Sequence, residues 1–212
     1  IANGRIWSRG IDTALFHADG AKLEALARLP RPIMLSVGRV STEKNLEAFL
    51  GADVPGTKLV VGDGPALAQL KQHYPQAVFM GALGGEDLAG AYRAADLFVF
   101  PSLTDTFGLV MIEALACGLP VAGFPVPGPL DIVGADGRGA EGTLSRRIGA
   151  LNDDLEMAIR DALSLDRGAA ADYGRSFQWE RCTDQFEAGL EHARLEMIAP
   201  VRQNVSARFK SA

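Results

Sequence analysis

From residue 31 onward the chain alternates short, largely apolar runs with longer stretches whose apolar residues recur every three or four positions. The runs are Ile33–Val37, Lys58–Val61, Ala77–Met80, Leu97–Phe100, Pro120–Gly123 and, more weakly, Arg147–Leu151. Strands without a polar face belong to a parallel sheet covered on both sides. The stretches between them predict helices near Glu43–Leu50, Pro65–Tyr74, Glu86–Ala95, Leu109–Cys117 and Pro129–Val133. Gly118 and Pro120 close the fourth of these in the order expected of a helix C-terminus. Six such units predict an α/β fold: a doubly wound, Rossmann-like six-stranded parallel sheet with strand order 3-2-1-4-5-6. Beyond residue 151 the pattern is helical. Asn152 or Asp153 is expected to cap a segment ending at Leu163. A last helix is expected over Gln178–Met197, with Trp179, Cys182, Phe186, Leu190, Ala193 and Met197 on one apolar face. That face either packs on this domain or crosses to a second one. The implied organisation is a linker at 1–19, a lobe at 20–200 and a frayed tail at 201–212.

Composition narrows the classes. With 212 residues, 48% of them hydrophobic, the chain can build one full core. No apolar run approaches the roughly 18 residues of a membrane span. A net charge of −5 argues against nucleic acid as the main ligand and leaves room for a local basic spot. Cys117 and Cys182 have neither metal-ligand spacing nor the numbers for a disulfide framework. They read as thiols in a reducing compartment, which makes the expected location cytoplasmic. No signal peptide is apparent, and Ile1-Ala2-Asn3-Gly4-Arg5-Ile6-Trp7 reads as the middle of a longer protein.

In a doubly wound sheet, ligands bind beyond the carboxyl ends of the strands where strand order reverses, here after strands one and four. The first loop reads Val37-Gly38-Arg39-Val40-Ser41-Thr42-Glu43-Lys44-Asn45. Gly38 permits a tight turn, and Arg39 and Lys44 bring two cations to one helix start, where the helix itself favours anions. An anionic ligand between them resolves the conflict; solvated surface cations are the alternative. The second loop reads Pro101-Ser102-Leu103-Thr104-Asp105-Thr106-Phe107-Gly108 and opens the helix from Leu109. Glu113 is the only charged residue between Asp105 and Asp131. A carboxylate in so apolar a helix must reach a hydrogen-bond donor, on the protein or on a ligand hydroxyl. The N–H groups of Gly108 and Leu109 can take phosphate, while Asp105 and Glu113 can take hydroxyls.

Other features carry less. Gly62-Asp63-Gly64-Pro65 reads as a tight turn with Pro at a helix start. Gly137-Arg138-Gly139-Ala140-Glu141-Gly142 has dinucleotide-type glycine spacing but neither follows a clear strand nor opens a helix. His17, His73 and His192 form no metal or triad spacing, and no Asp-x-Asp tripeptide supplies a divalent-metal site. No metal and no cofactor are expected.

Taken in order, Val37-Gly38-Arg39 through Glu43-Lys44-Asn45, Val61-Gly62-Asp63-Gly64-Pro65, Phe79-Met80-Gly81, Ala95-Asp96-Leu97-Phe98-Val99-Phe100-Pro101-Ser102 and Thr104-Asp105-Thr106-Phe107-Gly108 through Glu113-Ala114 resemble the family-four retaining glycosyltransferases of the GT-B fold. The resemblance runs from about residue 5 to residue 190 and covers the C-terminal, donor-binding lobe alone. It implies a nucleotide-diphosphate sugar, a UDP- or GDP-sugar, as donor. It also implies an acceptor sugar or lipid held by a missing N-terminal lobe, through which the protein could contact a membrane surface peripherally. By the same resemblance Arg39 and Lys44 bind the diphosphate, Glu113 the ribose and Asp105 the transferred sugar. The family often has Glu at that last position, so Asp105 is a departure. Gly38 lies in the donor loop; backbone at Phe107, Gly108 and Leu109 meets sugar and phosphate, and backbone near Met80, Gly81 and Leu83 meets the base. Trp7-Ser8-Arg9-Gly10-Ile11-Asp12 and Trp179-Glu180-Arg181-Cys182 resemble a mannosyl- or sulfoquinovosyl-transferring branch. Two other classes stay open: a GT-B epimerase or phosphorylase, and a non-catalytic nucleotide- or sugar-binding module.

Overall fold

A computed structural model of the chain describes residues 9–190. The first part of the expected linker, the expected tail, and Ala193 and Met197 lie outside the described residues. Two compact units divide the chain, one of residues 11–176 and one of residues 1–10 with 177–212.

The larger unit is built on six parallel strands: β1 (Ile33–Val37), β2 (Thr57–Val61), β3 (Val78–Phe79), β4 (Leu97–Phe100), β5 (Val121–Gly123) and β6 (Gly149–Leu151). Their order is β3-β2-β1-β4-β5-β6, the doubly wound arrangement that the alternation of apolar runs and helices predicts. The register sets Ile33 beside Thr57 and Val37 beside Val61, and on the other side Met34 beside Leu97. Seven α-helices join them: α1 (Leu46–Gly51), α2 (Leu67–His73), α3 (Gly85–Ala94), α4 (Leu109–Ala116), α5 (Pro127–Val133), α6 (Leu155–Ala162) and α7 (Arg167–Gly174).

Because successive strand residues point to opposite faces, wholly apolar strands need two covers. Met34, Val60, Leu97 and Val99 pack with Phe49 and Leu50 of α1 and Ile159 of α6. The alternate residues Ile33, Leu35, Leu59, Phe98 and Phe100 are equally buried. On their side Tyr92 of α3 lies 5.9 Å from Phe98 and 5.9 Å edge-on from Phe16, measured between ring centroids. Residues 11–19, read from sequence as part of a linker, pack within this unit, with Ile11 and Phe16 buried. Arg93 fastens them: its guanidinium donates to the Ala21 and Leu15 carbonyls and pairs with Glu86 at 2.7 Å.

The helical segments depart from the sequence reading in ways that bear on the site and the core. The helix expected from Glu43 is broken: Thr42–Lys44 form one 3-10 turn, Asn45 takes a left-handed φ of 51°, and α1 starts at Leu46. Asn tolerates that conformation better than most residues. The α6 cap is Asp154, whose carboxylate accepts from the Glu156 and Met157 N–H groups, while Asn152 accepts from Asp154 itself. Helix α7, with Asp166 as its cap, has no counterpart among the predicted elements.

In the smaller unit, residues 179–190 are helical. Trp179 and Leu190 of its apolar stripe are exposed. No helix among the described residues is long and apolar enough to cross a membrane.

Candidate functional site

The carboxyl ends of β1 and β4 frame a cleft of about 290 Å³, lined among others by Gly38, Arg39, Lys44, Asp105, Gly108 and Leu109. Its first wall is the loop after β1. Backbone bonds continue past the strand ends, from Gly38 N–H to the Val61 carbonyl (3.0 Å), Val40 N–H to Asp63 (2.9 Å) and Gly62 N–H to Gly81 (2.7 Å). This close approach needs glycine at 62: its φ is +145°, and a Cβ there would sit 1.8 Å from the Gly38 carbonyl oxygen. The turn read from Gly62-Asp63-Gly64-Pro65 is therefore also a support for the Gly38–Arg39 loop.

The 3-10 turn carries Lys44 to the opposite wall. Asn45 donates its side-chain amide to the Pro101 carbonyl (3.0 Å), tying the turn to the loop after β4. Across that tie Lys44 Nζ donates to Asp105 Oδ1 at 2.5 Å, with 29% and 24% of the two side chains exposed. Asp105 Oδ2 is buried without a hydrogen-bond partner. Glu43 is engaged by the Ser41 hydroxyl at 2.6 Å, and that bond holds its carboxyl below the usual carboxylate range. Arg39 is exposed on the cleft rim. Both cations thus border the cleft, Lys44 paired with Asp105, and both also help to lower the Glu43 carboxyl.

Gly108 is the N-cap of α4, at φ 86°, and no side chain caps the helix there. The first turn of α4 therefore presents N–H groups that lack intrahelical partners, at the positive end of the helix dipole. The loop is seated by Gly128 of α5, where a Cβ would lie 2.8 Å from the Asp105 carbonyl oxygen.

Glu113 is half-buried one turn further along α4 and is not among the cleft-lining residues. Its Oε2 accepts from the Tyr92 hydroxyl at 2.9 Å, so a donor on the protein meets the need inferred from sequence. Burial pushes the Glu113 carboxyl above its ordinary value, and the Tyr92 bond pulls the other way. Tyr92, which sequence reasoning did not single out, is fully buried, and its phenol is raised well above normal by burial first and by Glu113 second. Met80, Gly81 and Leu83 lie beyond β3 and are partly exposed; neither they nor Phe107 line the cleft. Gly81, at φ +72°, accepts from Gly62 N–H, which links this segment to the first wall. Among the described residues no group of three His, Cys, Asp or Glu is placed to hold a metal ion.

Comparison with known proteins gives a match over residues 31–161 to the family described as glycosyl transferases group 1. The chain is 39% identical over 136 residues to a GDP-mannose-dependent alpha-mannosyltransferase of Corynebacterium glutamicum, covering 60% of this chain and 32% of that protein. It is 35% identical over 150 residues to the sulfoquinovosyl transferase SQD2 of Arabidopsis thaliana, covering 66% of this chain and 29% of that one. The sucrose-phosphate synthase of Thermosynechococcus elongatus superposes with a TM-score of 0.69 at 29% identity, over 92% of this chain and 53% of the synthase. The chain thus spans about a third of the length of the first two relatives.

Proposed function

The chain belongs to the group 1 glycosyl transferases, and on that premise we propose that it is the donor-binding lobe of a retaining glycosyltransferase that takes a nucleotide-diphosphate sugar. The observation that carries the reading is the cleft at the ends of β1 and β4, where Arg39, Lys44, Asp105 and the first turn of α4 converge. In this reading the diphosphate lies between Arg39, Lys44 and the α4 N–H groups. Those donors hold the negative charge that grows as the sugar–phosphate bond breaks, and preorganised groups of this kind often contribute more to catalysis than any other effect. Asp105 meets the transferred sugar through Oδ2, which is buried and has no protein partner. Backbone at Phe107, Gly108 and Leu109 completes the sugar and phosphate contacts, and backbone near Met80, Gly81 and Leu83 meets the base. Glu113, steadied by Tyr92, takes ribose hydroxyls. This reading assigns no role to a metal.

The names of two relatives favour a mannosyl or sulfoquinovosyl donor, GDP-mannose first. An acceptor lobe outside this chain would hold the acceptor sugar or lipid. Positioning an acceptor can supply roughly 7–11 kcal/mol of barrier reduction, so the chain by itself is expected to bind donor and transfer no sugar. The protein is read as cytoplasmic, with any membrane contact made through the acceptor lobe.

The test is calorimetry of the 212-residue chain with GDP, UDP, ADP and their sugar conjugates. Arg39→Ala and Lys44→Ala should each weaken nucleotide binding about 10- to 100-fold, the share of one charge-assisted hydrogen bond. Unchanged affinity in both variants would refute the assignment.

A further inference from the structure

We infer that Lys44 and Asp105 act as a latch that couples binding of the sugar to binding of the diphosphate and weakens the hold on a bare nucleoside diphosphate. The inference rests on the donor reading above and adds to it a discriminating role for Asp105.

The pair is built into the cleft. Lys44 closes a 3-10 turn, and Asn45 and Ser102 tie that turn to the loop carrying Asp105, through Asn45 Nδ2 to the Pro101 carbonyl and Ser102 Oγ to the Glu43 carbonyl (3.4 Å). The ammonium and carboxylate are therefore brought together by backbone, not by chance contact of two mobile side chains. At 29% and 24% exposure they are sheltered enough for their attraction to exceed that of an open surface pair. No other carboxylate among the described residues pairs with Lys44.

A diphosphate that reaches Lys44 meets a cation already neutralised at 2.5 Å. It must share the ammonium with Asp105 or displace the carboxylate, and displacement strands Asp105, whose second oxygen already lacks a partner. A donor with its sugar attached brings hydroxyls that can satisfy both carboxylate oxygens, so it compensates for the broken pair. A bare nucleoside diphosphate brings no such group. Asp105 then repels the terminal phosphate and reclaims Lys44. Sugar and diphosphate thus favour each other's binding, a reciprocal coupling between two neighbouring subsites. Once the sugar is gone, the same pair favours release of the nucleoside diphosphate.

The experiment is calorimetry of the chain with GDP, UDP, GDP-mannose and UDP-glucose, for the wild type, Asp105→Asn, Lys44→Ala and both changes together. Asp105→Ala serves as a second way to free Lys44. Both Asp105 variants should bind the bare nucleoside diphosphate about tenfold more tightly, the size of a sheltered, charge-assisted pair, while the conjugate, which also loses its hydroxyl contacts to Asp105, gains nothing or weakens. In the Lys44→Ala background the gain from Asp105→Asn should vanish. A gain that persists without Lys44 would mean a general field effect and would overturn the latch, as would unchanged or weaker diphosphate binding by both Asp105 variants. Failure of the wild type to bind any of the four probes would instead overturn the donor reading, and the latch with it.

Discussion

Replacing Tyr92 by Phe removes one oxygen from the core and nothing else. The ring keeps its edge-on contact with Phe16 and its tilted contact with Phe98, both at 5.9 Å. What goes is the 2.9 Å bond to Glu113 Oε2. A hydrogen bond to a charged acceptor contributes about 1.5–3 kcal/mol, and because Glu113 is only half-buried the lower end, about 1.5–2 kcal/mol, applies. At about 2–4 °C per kcal/mol for a domain of this size, Tm should fall by about 3–8 °C at neutral pH. Glu113→Gln should behave oppositely. The amide oxygen still accepts from Tyr92, and the charge that burial disfavours is gone. Since the folded carboxyl is raised above its ordinary 4.5, the stability it contributes is full below that value. It is lost as pH rises through the folded value. The Gln variant, uncharged throughout, should therefore gain on the wild type as pH rises above 4.5 towards neutrality. Differential scanning calorimetry of the three proteins across that range, with nucleotide titrations alongside, reads both effects. If Glu113 holds the ribose, Glu113→Gln binds nucleotide more weakly while melting no lower. A Tm several degrees below wild type for Glu113→Gln at pH 7, with Tyr92→Phe unchanged, would refute the reasoning.

Two further outcomes follow from close packing. Gly62→Ala should destabilise by about 2–4 kcal/mol, because its Cβ meets a backbone oxygen that cannot turn aside, whereas Gly38→Ala, with nothing within 4 Å of its Cβ, should cost less; chemical denaturation of both variants checks the order. Cys117 is buried and its thiol is pushed up to about 12, so it should resist alkylation until the chain unfolds; rapid modification of the Cys117 peptide under native conditions would contradict this.

The parallel sheet is legible in the sequence because its strands are mostly apolar and β1, β2 and β4 run directly into Gly38, Gly62 and Pro101, which favour a turn. Helix α7 is not legible, since its buried face is Ala170, Ala171 and Gly174, residues too small to mark an apolar stripe. They are small for a reason: a Cβ on Gly174 would lie 2.1 Å from the Ala116 backbone nitrogen, so α7 lies directly on α4. The choice of Asp154 as cap over its polar neighbours depends on backbone geometry that composition does not encode. In the site, Arg39, Lys44 and Asp105 are legible because they follow strands at the reversal point. Their partnerships are not: Lys44 finds Asp105 61 residues away, and Glu113 finds Tyr92 21 residues earlier, inside a helix that reads as ordinary core. The need of Glu113 for a donor is visible in the sequence; the donor is not.

The bonds that run past the ends of β1, β2 and β3 give the cleft walls unequal stiffness. Gly38 donates to the end of β2, and Val40, Gly62 and Ala66 each donate to a neighbouring loop, so shifting the Arg39 wall means breaking several backbone bonds at about 1 kcal/mol net each. The facing loop, from Pro101 to Gly108, is tied to the first wall by two side-chain bonds, from Asn45 and Ser102, and by the Lys44–Asp105 pair. The compliance of the cleft therefore lies almost wholly on the Asp105 side. If the cleft takes the donor as proposed, the Asp105 side is the one that yields to it, and substitutions that loosen the Arg39 side should blunt selectivity among nucleotides more than those that loosen the Asp105 side.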